Sequence, residues 1–251
     1  VDSDITEQTR TVEALIEAKE RAIESDRLKT VFLQNLSHEI RTPMNGVLGF
    51  MELLKTPDLT GEQRNTYTDL VERSATRLIN TINEIIEISR IETNTVKIKL
   101  SNANPSDIIT ELFKKNKKQI ESIPLEFKAN FPVENSQRII NTDIQKIGYI
   151  FDSLINNSIK FTLKGFIEIG YQFNNSQVIF FVKDTGIGIP ADREAAIFKP
   201  FVQANLSITR AHEGAGLGLS IAKAYTEMLG GKIWFESELN KGTAFFFSLP
   251  I

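Results

Sequence analysis

The sequence predicts an α+β fold: a helical hairpin dimerising into a four-helix bundle, followed by an α/β sandwich. Three observations carry that expectation. Apolar residues recur at three- and four-residue steps, or their sums, over residues 5–54. The pattern breaks at Pro57 and Gly61, then resumes to about Glu92. Beyond Ile91 short alternating segments interleave with helical ones, the texture of packed strands and helices.

The first helix is read from Ile5, Val12, Ile16, Ile23, Leu33, Leu36, Ile40, Met44, Val47, Met51 and Leu54. Seven-residue steps from Ile5 to Val12 and from Ile16 to Ile23 suggest a short coiled coil, with Lys19 a polar interruption of the seam. The second helix follows Tyr67, Leu70, Val71, Leu78, Ile82, Ile85 and Ile88. Two long helices joined by a short loop form an antiparallel hairpin, and a second copy is the simplest cover for their apolar stripes. Strands are expected at residues 96–100, 125–131, 139–141, 166–173, 177–183, 232–236 and 243–249, with helices at 108–119, 144–160 and 218–229. Asn104, followed by Pro105, provides a cap for the first of these helices. The expected division is a coiled-coil helix at 1–27, a dimerising helical hairpin at 28–95 and an α/β domain at 96–251.

Inside the first helix lies FLQNLSHEIRTPMNGVLGF, residues 32–50. With Leu36, Ile40, Met44 and Val47 facing inward, a step of ~100° per residue places His38 roughly 150° away, and Thr42 one turn further on the same outer face. An exposed imidazole titrating near ~6.5 offers a nucleophilic ring nitrogen. Glu39, bordering that face, can hold the other ring N–H and take its proton. Pro43 removes a backbone donor and is expected to bend the helix. A solvated surface histidine is the ordinary alternative. The segment, however, resembles the H box of histidine kinases, in which an acid, an arginine, a threonine and a proline follow the phosphoacceptor. The resemblance implies that His38 takes the phosphoryl group, Glu39 is the general base, and Thr42 positions water when a partner receiver domain is dephosphorylated.

Four later segments fall in an informative order. Asn157 and Lys160 sit three residues apart on one helix, an amide oxygen for Mg²⁺ and an ammonium for phosphate. Asp184-Thr185-Gly186-Ile187-Gly188 follows a strand, and its carboxylate can accept from an exocyclic amine such as that of adenine. Ile197-Phe198-Lys199-Pro200-Phe201 comes next, with the phenylalanines read as packing anchors. Gly214-Ala215-Gly216-Leu217-Gly218 then opens a helix whose N–H groups can cradle phosphates.

In order, these resemble the N box, first glycine box, F box and second glycine box of the histidine kinase ATP-binding domain, which shares its fold with gyrase and heat-shock chaperone ATPases. The resemblance implies ATP and Mg²⁺ as cofactors. By it, Asn157 binds the metal, Lys160 a phosphate, Asp184 the adenine amine, and Gly186 and Gly188 the adenine-side loop. Gly214, Gly216 and Gly218 frame the triphosphate, and residues 197–213 form a mobile lid. Arg210 is a phosphate contact or a solvated lid charge, and His212 is an inert surface residue. Two positions depart from the pattern: Ser153 replaces an asparagine and Ala215 a threonine. The hydrolytic relatives place a water-activating glutamate where Ser153 stands, so the serine argues against a dedicated ATPase.

Composition narrows the partners. A formal charge of −3 gives no global attraction to nucleic acid or anionic membrane, and the absence of cysteine excludes disulfides and thiolate metal sites. No run approaches the ~18 apolar residues of a membrane span. The expected setting is a cytoplasmic portion of a longer protein that is itself anchored in the inner membrane or free, and that acts as a homodimer on a response-regulator receiver domain. Rival readings are a degenerate kinase that relays conformation without chemistry, a gyrase-like ATPase, and a structural coiled coil. The last accounts for nothing beyond Leu100.

Overall fold

The computed structural model describes residues 2–132, 138–174, 176–201 and 216–251. The chain divides into two compact units, residues 1–82 and 83–251.

Helix α1 runs over Asp2–Leu53, unbroken through Pro43, and α2 over Gly61–Glu92. The start of α2 is set by a reciprocal capping pair. Thr60 Oγ1 accepts from Gln63 N at 3.1 Å, while Thr60 N donates to Gln63 Oε1 at 3.0 Å. Within the first unit α1 and α2 approach closely at Gly46, where a Cβ would stand 2.8 Å from Ser74 Oγ. The inward stripe of α1 differs from the expected one. Glu39 and Pro43 are buried, whereas Met44 is 42% exposed. On α2 Thr81 and the expected Ile88 are buried, and Ile82 is exposed. On α1 the most buried positions thus precede the expected stripe by one residue, while Leu36, Ile40 and Val47 of that stripe are half-buried. The coiled-coil positions Ile5, Val12 and Ile16 lie outside the described side chains; Ile23 is exposed.

In the second unit residues 96–100 form no strand, contrary to their alternation. The extended backbone there is held by a side chain instead, Lys99 N donating to Asp143 Oδ2 at 2.8 Å. Strand β1 is Ser101–Ala103, paired antiparallel with β3 at Ile140–Thr142. Helix α3 covers Pro105–Ile120, capped by Asn104, whose side chain accepts from Ser106 N. The main sheet contains β2 (Leu125–Asn130), β4 (Gly165–Asn174), β5 (Gln177–Asp184), β6 (Lys232–Glu238) and β7 (Gly242–Pro250), in the order β2-β4-β5-β7-β6. Among the described residues only the β2–β4 pairing is parallel. Helices α4 (Ile144–Phe161) and α5 (Gly218–Met228) complete the unit.

The core lies between α4 and the sheet. Phe180 and Phe247 stack at 5.0 Å, and Phe151 meets them edge-on at 5.6 and 5.2 Å. All three are fully buried, each contributing roughly 1.5–3 kcal/mol of apolar transfer. This packing fixes the middle of α4 against the sheet, and further along α4 Ser158 reaches Asp184 at the end of β5, where the candidate site lies.

The last turns of α2 belong to this second unit. Glu87 accepts a hydrogen bond from Tyr225 Oη on α5, and Lys146 Nζ on α4 lies 3.0 Å from that hydroxyl and 3.7 Å from the Glu87 carboxylate. Burial, then the Glu87 contact, pushes the Tyr225 phenol upward; it therefore stays a donor.

Candidate functional site

In the first unit His38 projects from α1 with 75% of its side chain exposed, while the adjacent Glu39 side chain is 12% exposed. Glu39 Oε1 lies 3.9 Å from His38 Nδ1. The carboxylate is therefore turned into the helix seam and does not border the outer face as the helical projection suggested, because its other oxygen is drawn toward Arg77 of α2 at 3.5 Å. Thr42 is half-buried and not on a fully exposed face, and its hydroxyl donates to the His38 carbonyl at 3.1 Å. That bond is the back-bonding characteristic of threonine within a helix.

In the second unit Asp184 ends β5, paired in register with Ile167 of β4 and Thr243 of β7. Its Oδ1 accepts from Gly186 N at 2.9 Å and Thr243 N at 3.2 Å, and its Oδ2 accepts from Ser158 Oγ on α4 at 2.9 Å. A carboxylate has about four lone-pair positions, so one acceptor remains, on Oδ2. Burial raises the Asp184 carboxyl above the usual carboxylate range, and these hydrogen bonds only partly offset it. The Thr162 hydroxyl nearby is buried without a hydrogen bond of good geometry and adds a weak opposing effect.

The glycines after Asp184 are required by the protein's own backbone. A Cβ on Gly186 would lie 2.5 Å from the Phe161 carbonyl oxygen. Gly188 has φ +72°, and its Cβ would lie 2.3 Å from the Glu238 carbonyl oxygen. Packing alone thus accounts for both, whatever else the loop contacts.

Asn157 and Lys160 are half-buried in the last turns of α4, the Lys160 ammonium lying 4.8 Å from the centre of the Phe161 ring. One turn earlier Ser153 faces the start of α5, where a Cβ on Gly218 would stand 2.7 Å from its Oγ. Ser153 Oγ is buried and has no partner. Helix α5 begins without a side-chain cap, and Gly216 before it has φ +68°. Uncapped N–H groups beside an unsatisfied hydroxyl suit an anion. Among the described residues no group of three or more His, Cys, Asp or Glu could hold a metal ion. A magnesium ion here would rest on phosphate oxygens, water and the Asn157 amide oxygen, a ligand set that Mg²⁺ accepts.

The structure thus brings Asn157, Lys160, Asp184, Gly186, Gly188, Gly216 and Gly218 into the region joined by α4, the end of β5 and the start of α5. Arg210, Gly214, Ala215, His212 and most of the expected lid lie outside the described residues. Phe198 packs on Phe235 and Phe245, with ring centres 6.1 and 6.4 Å away. Sequence reasoning missed Ser158, Thr243 and Arg77. Ser158 adjoins Asn157 and was within reach of the motif. Thr243 becomes visible only through the β5–β7 register.

The family model for the His Kinase A phospho-acceptor domain matches residues 28–94. That for histidine kinase-, DNA gyrase B- and HSP90-like ATPases matches residues 142–251. The chain is 36% identical over 238 residues to the autoinducer 2 sensor kinase/phosphatase LuxQ of Vibrio cholerae, covering 93% of this chain and 28% of that protein. It is 35% identical over 243 residues to the signal transduction histidine-protein kinase BarA of Escherichia coli, covering 93% and 26%. The chain therefore spans about a quarter of the length of these curated relatives. Among solved structures, full-length ShkA in complex with AMPPNP superposes with a TM-score of 0.65 at 30% identity, covering 87% of this chain and 45% of that one. A phosphoacceptor helix pair followed by a mixed-sheet ATPase domain, matched by both family models, places the chain among the sensor histidine kinases as a catalytic core.

Proposed function

We propose that this core autophosphorylates His38 from Mg-ATP and passes the phosphoryl group to an aspartate of a response-regulator receiver domain. The observation that carries the reading is His38 itself, an imidazole 75% exposed with a largely buried carboxylate 3.9 Å from Nδ1. The ring nitrogen not facing Glu39 is open to an incoming phosphorus, and the Nδ1 proton has a base beside it. ATP would be held by Asp184 at the adenine amine, with the open start of α5, including Gly216 and Gly218, and Lys160 at the phosphates. Magnesium, with Asn157 as its protein ligand, would supply charge neutralisation at those phosphates. Gly186 and Gly188 shape the loop beneath the base, and Arg210 and Gly214 are proposed to complete the phosphate end.

Homodimerisation through the hairpin is supported by exposed apolar residues, Leu48, Met51 and Leu53 on α1 and Ile79 and Ile82 on α2. Thr42 is assigned to dephosphorylation of the receiver, one helical turn from His38; the name kinase/phosphatase carried by LuxQ supports such a second activity. The domain limits 28–95 and 96–251 belong to the same proposal. No described helix is long and apolar enough to cross a membrane.

One experiment follows the whole route: incubation with γ-labelled ATP and Mg²⁺, then addition of the receiver domain. Acid-labile label should appear on the chain, move to the receiver and decay. With Thr42→Ala the first two steps should persist and the decay should slow. Acid-stable label, or none, contradicts the kinase reading; equal decay removes Thr42 from its role.

A further inference from the structure

We infer that Arg77 of α2 is a positioning residue for phosphoryl transfer, holding the Glu39 carboxylate in the orientation that serves His38. The inference rests on the proposed role of Glu39 as base. Arg77 Nη2 lies 3.5 Å from Glu39 Oε2, and Glu39 Oε1 lies 3.9 Å from His38 Nδ1. The two carboxylate oxygens are thus divided between a fixed cation and the reacting ring. The Arg77 side chain is 30% exposed and that of Glu39 12%, against 75% for His38. A carboxylate buried to this degree is costly without a countercharge, and Arg77 supplies one.

The exposure gradient says which group moves. Glu39 is confined by the helix seam and its arginine, so closing the 3.9 Å gap falls to the exposed imidazole. In the transfer His38 Nε2 forms a bond to the γ-phosphorus as the bond from that phosphorus to the β–γ bridging oxygen breaks. ADP departs with that electron pair, and the Nδ1 proton passes to Glu39 Oε1. A carboxylate free to swing out of the seam would meet the ring in the wrong geometry, and misplacement of this order costs rate more than substrate affinity. Helical spacing already puts Arg77 inward, three residues after half-buried Ser74 and four before buried Thr81, a place where an arginine needs a reason.

The test is a double-mutant cycle on initial autophosphorylation rates at saturating ATP, with KM for ATP and oligomeric state measured alongside. Arg77→Met keeps the aliphatic stem and should lower the rate about 10-fold or more with KM unchanged within twofold; Arg77→Lys should restore most of it. In a Glu39→Gln background, Arg77→Met should cost less than twofold further, because the group it positions is gone. An equal loss in both backgrounds, or full activity of Arg77→Met, overturns the inference. Full activity of Glu39→Gln overturns the base assignment itself, and Arg77 falls with it. If Arg77→Met fails to fold, Arg77→Lys in both backgrounds decides: a rate loss confined to the parent background supports the coupling, and an equal loss in both rejects it.

Discussion

Asp184 is held in place by three hydrogen bonds and retains one acceptor, yet burial raises its carboxyl above the ordinary range. The sign of the stability effect follows. An acid whose folded value is raised binds its proton more readily in the native state, so stability falls as pH rises from the unfolded value near ~3.9 through the folded one. Once ionised, the buried carboxylate therefore weakens the fold, a cost in keeping with the proposed role in binding adenine. Asp184→Asn should remove that pH dependence and leave thermal stability at pH 7 equal or higher, since an amide oxygen can still accept from Gly186 and Thr243. Its amide nitrogen would face the adenine amine donor to donor, weakening ATP by about 1–3 kcal/mol, roughly 5- to 150-fold. Calorimetry with ATP alongside thermal melts checks both; unchanged affinity would mean that adenine is recognised elsewhere.

At the scale of elements, the end of α2 is tied to α4 and α5 by Glu87, Lys146 and Tyr225. Tyr225→Phe deletes the hydroxyl that bridges the other two, leaving Glu87 with Lys146 at 3.7 Å and a lost donor. The second unit should lose about 1–3 kcal/mol in denaturant unfolding. Because the Tyr225 phenol is raised, the parent's stability should also fall as pH passes ~10, where the unfolded phenol ionises first, and the mutant should lose that component. No change in either measurement would show the cluster to be energetically idle. Elements of this kind were legible in the sequence to different degrees. The helices 144–160 and 218–229 and the long strands emerged within a few residues of Ile144–Phe161, Gly218–Met228, Gly165–Asn174 and Gln177–Asp184, because period and caps agreed. Residues 96–100 alternate like a strand but pair with no strand among the described residues, and Asp143 takes the Lys99 amide. The inward face of α1 differs from the expected one because Glu39, a charged residue, occupies a buried position where it pairs with Arg77.

For the molecule as a whole, the sequence carried the acceptor and nucleotide motifs but not the contacts that hold them. The order of His38, Asn157, Asp184 and the glycines before α5 was visible because each lies in a local run. Thr243 and Arg77 were not, because partners from distant stretches of chain share no local pattern. In the proposed reaction one unit carries the histidine that receives phosphorus and the other the residues that hold the nucleotide. The most direct test is to compare the parent with His38→Gln for labelling by γ-labelled ATP and for ATP affinity. The account predicts that His38→Gln abolishes acid-labile label while ATP affinity stays within about twofold, since the acceptor lies outside the unit that holds the nucleotide site. Undiminished acid-labile label in His38→Gln would contradict it.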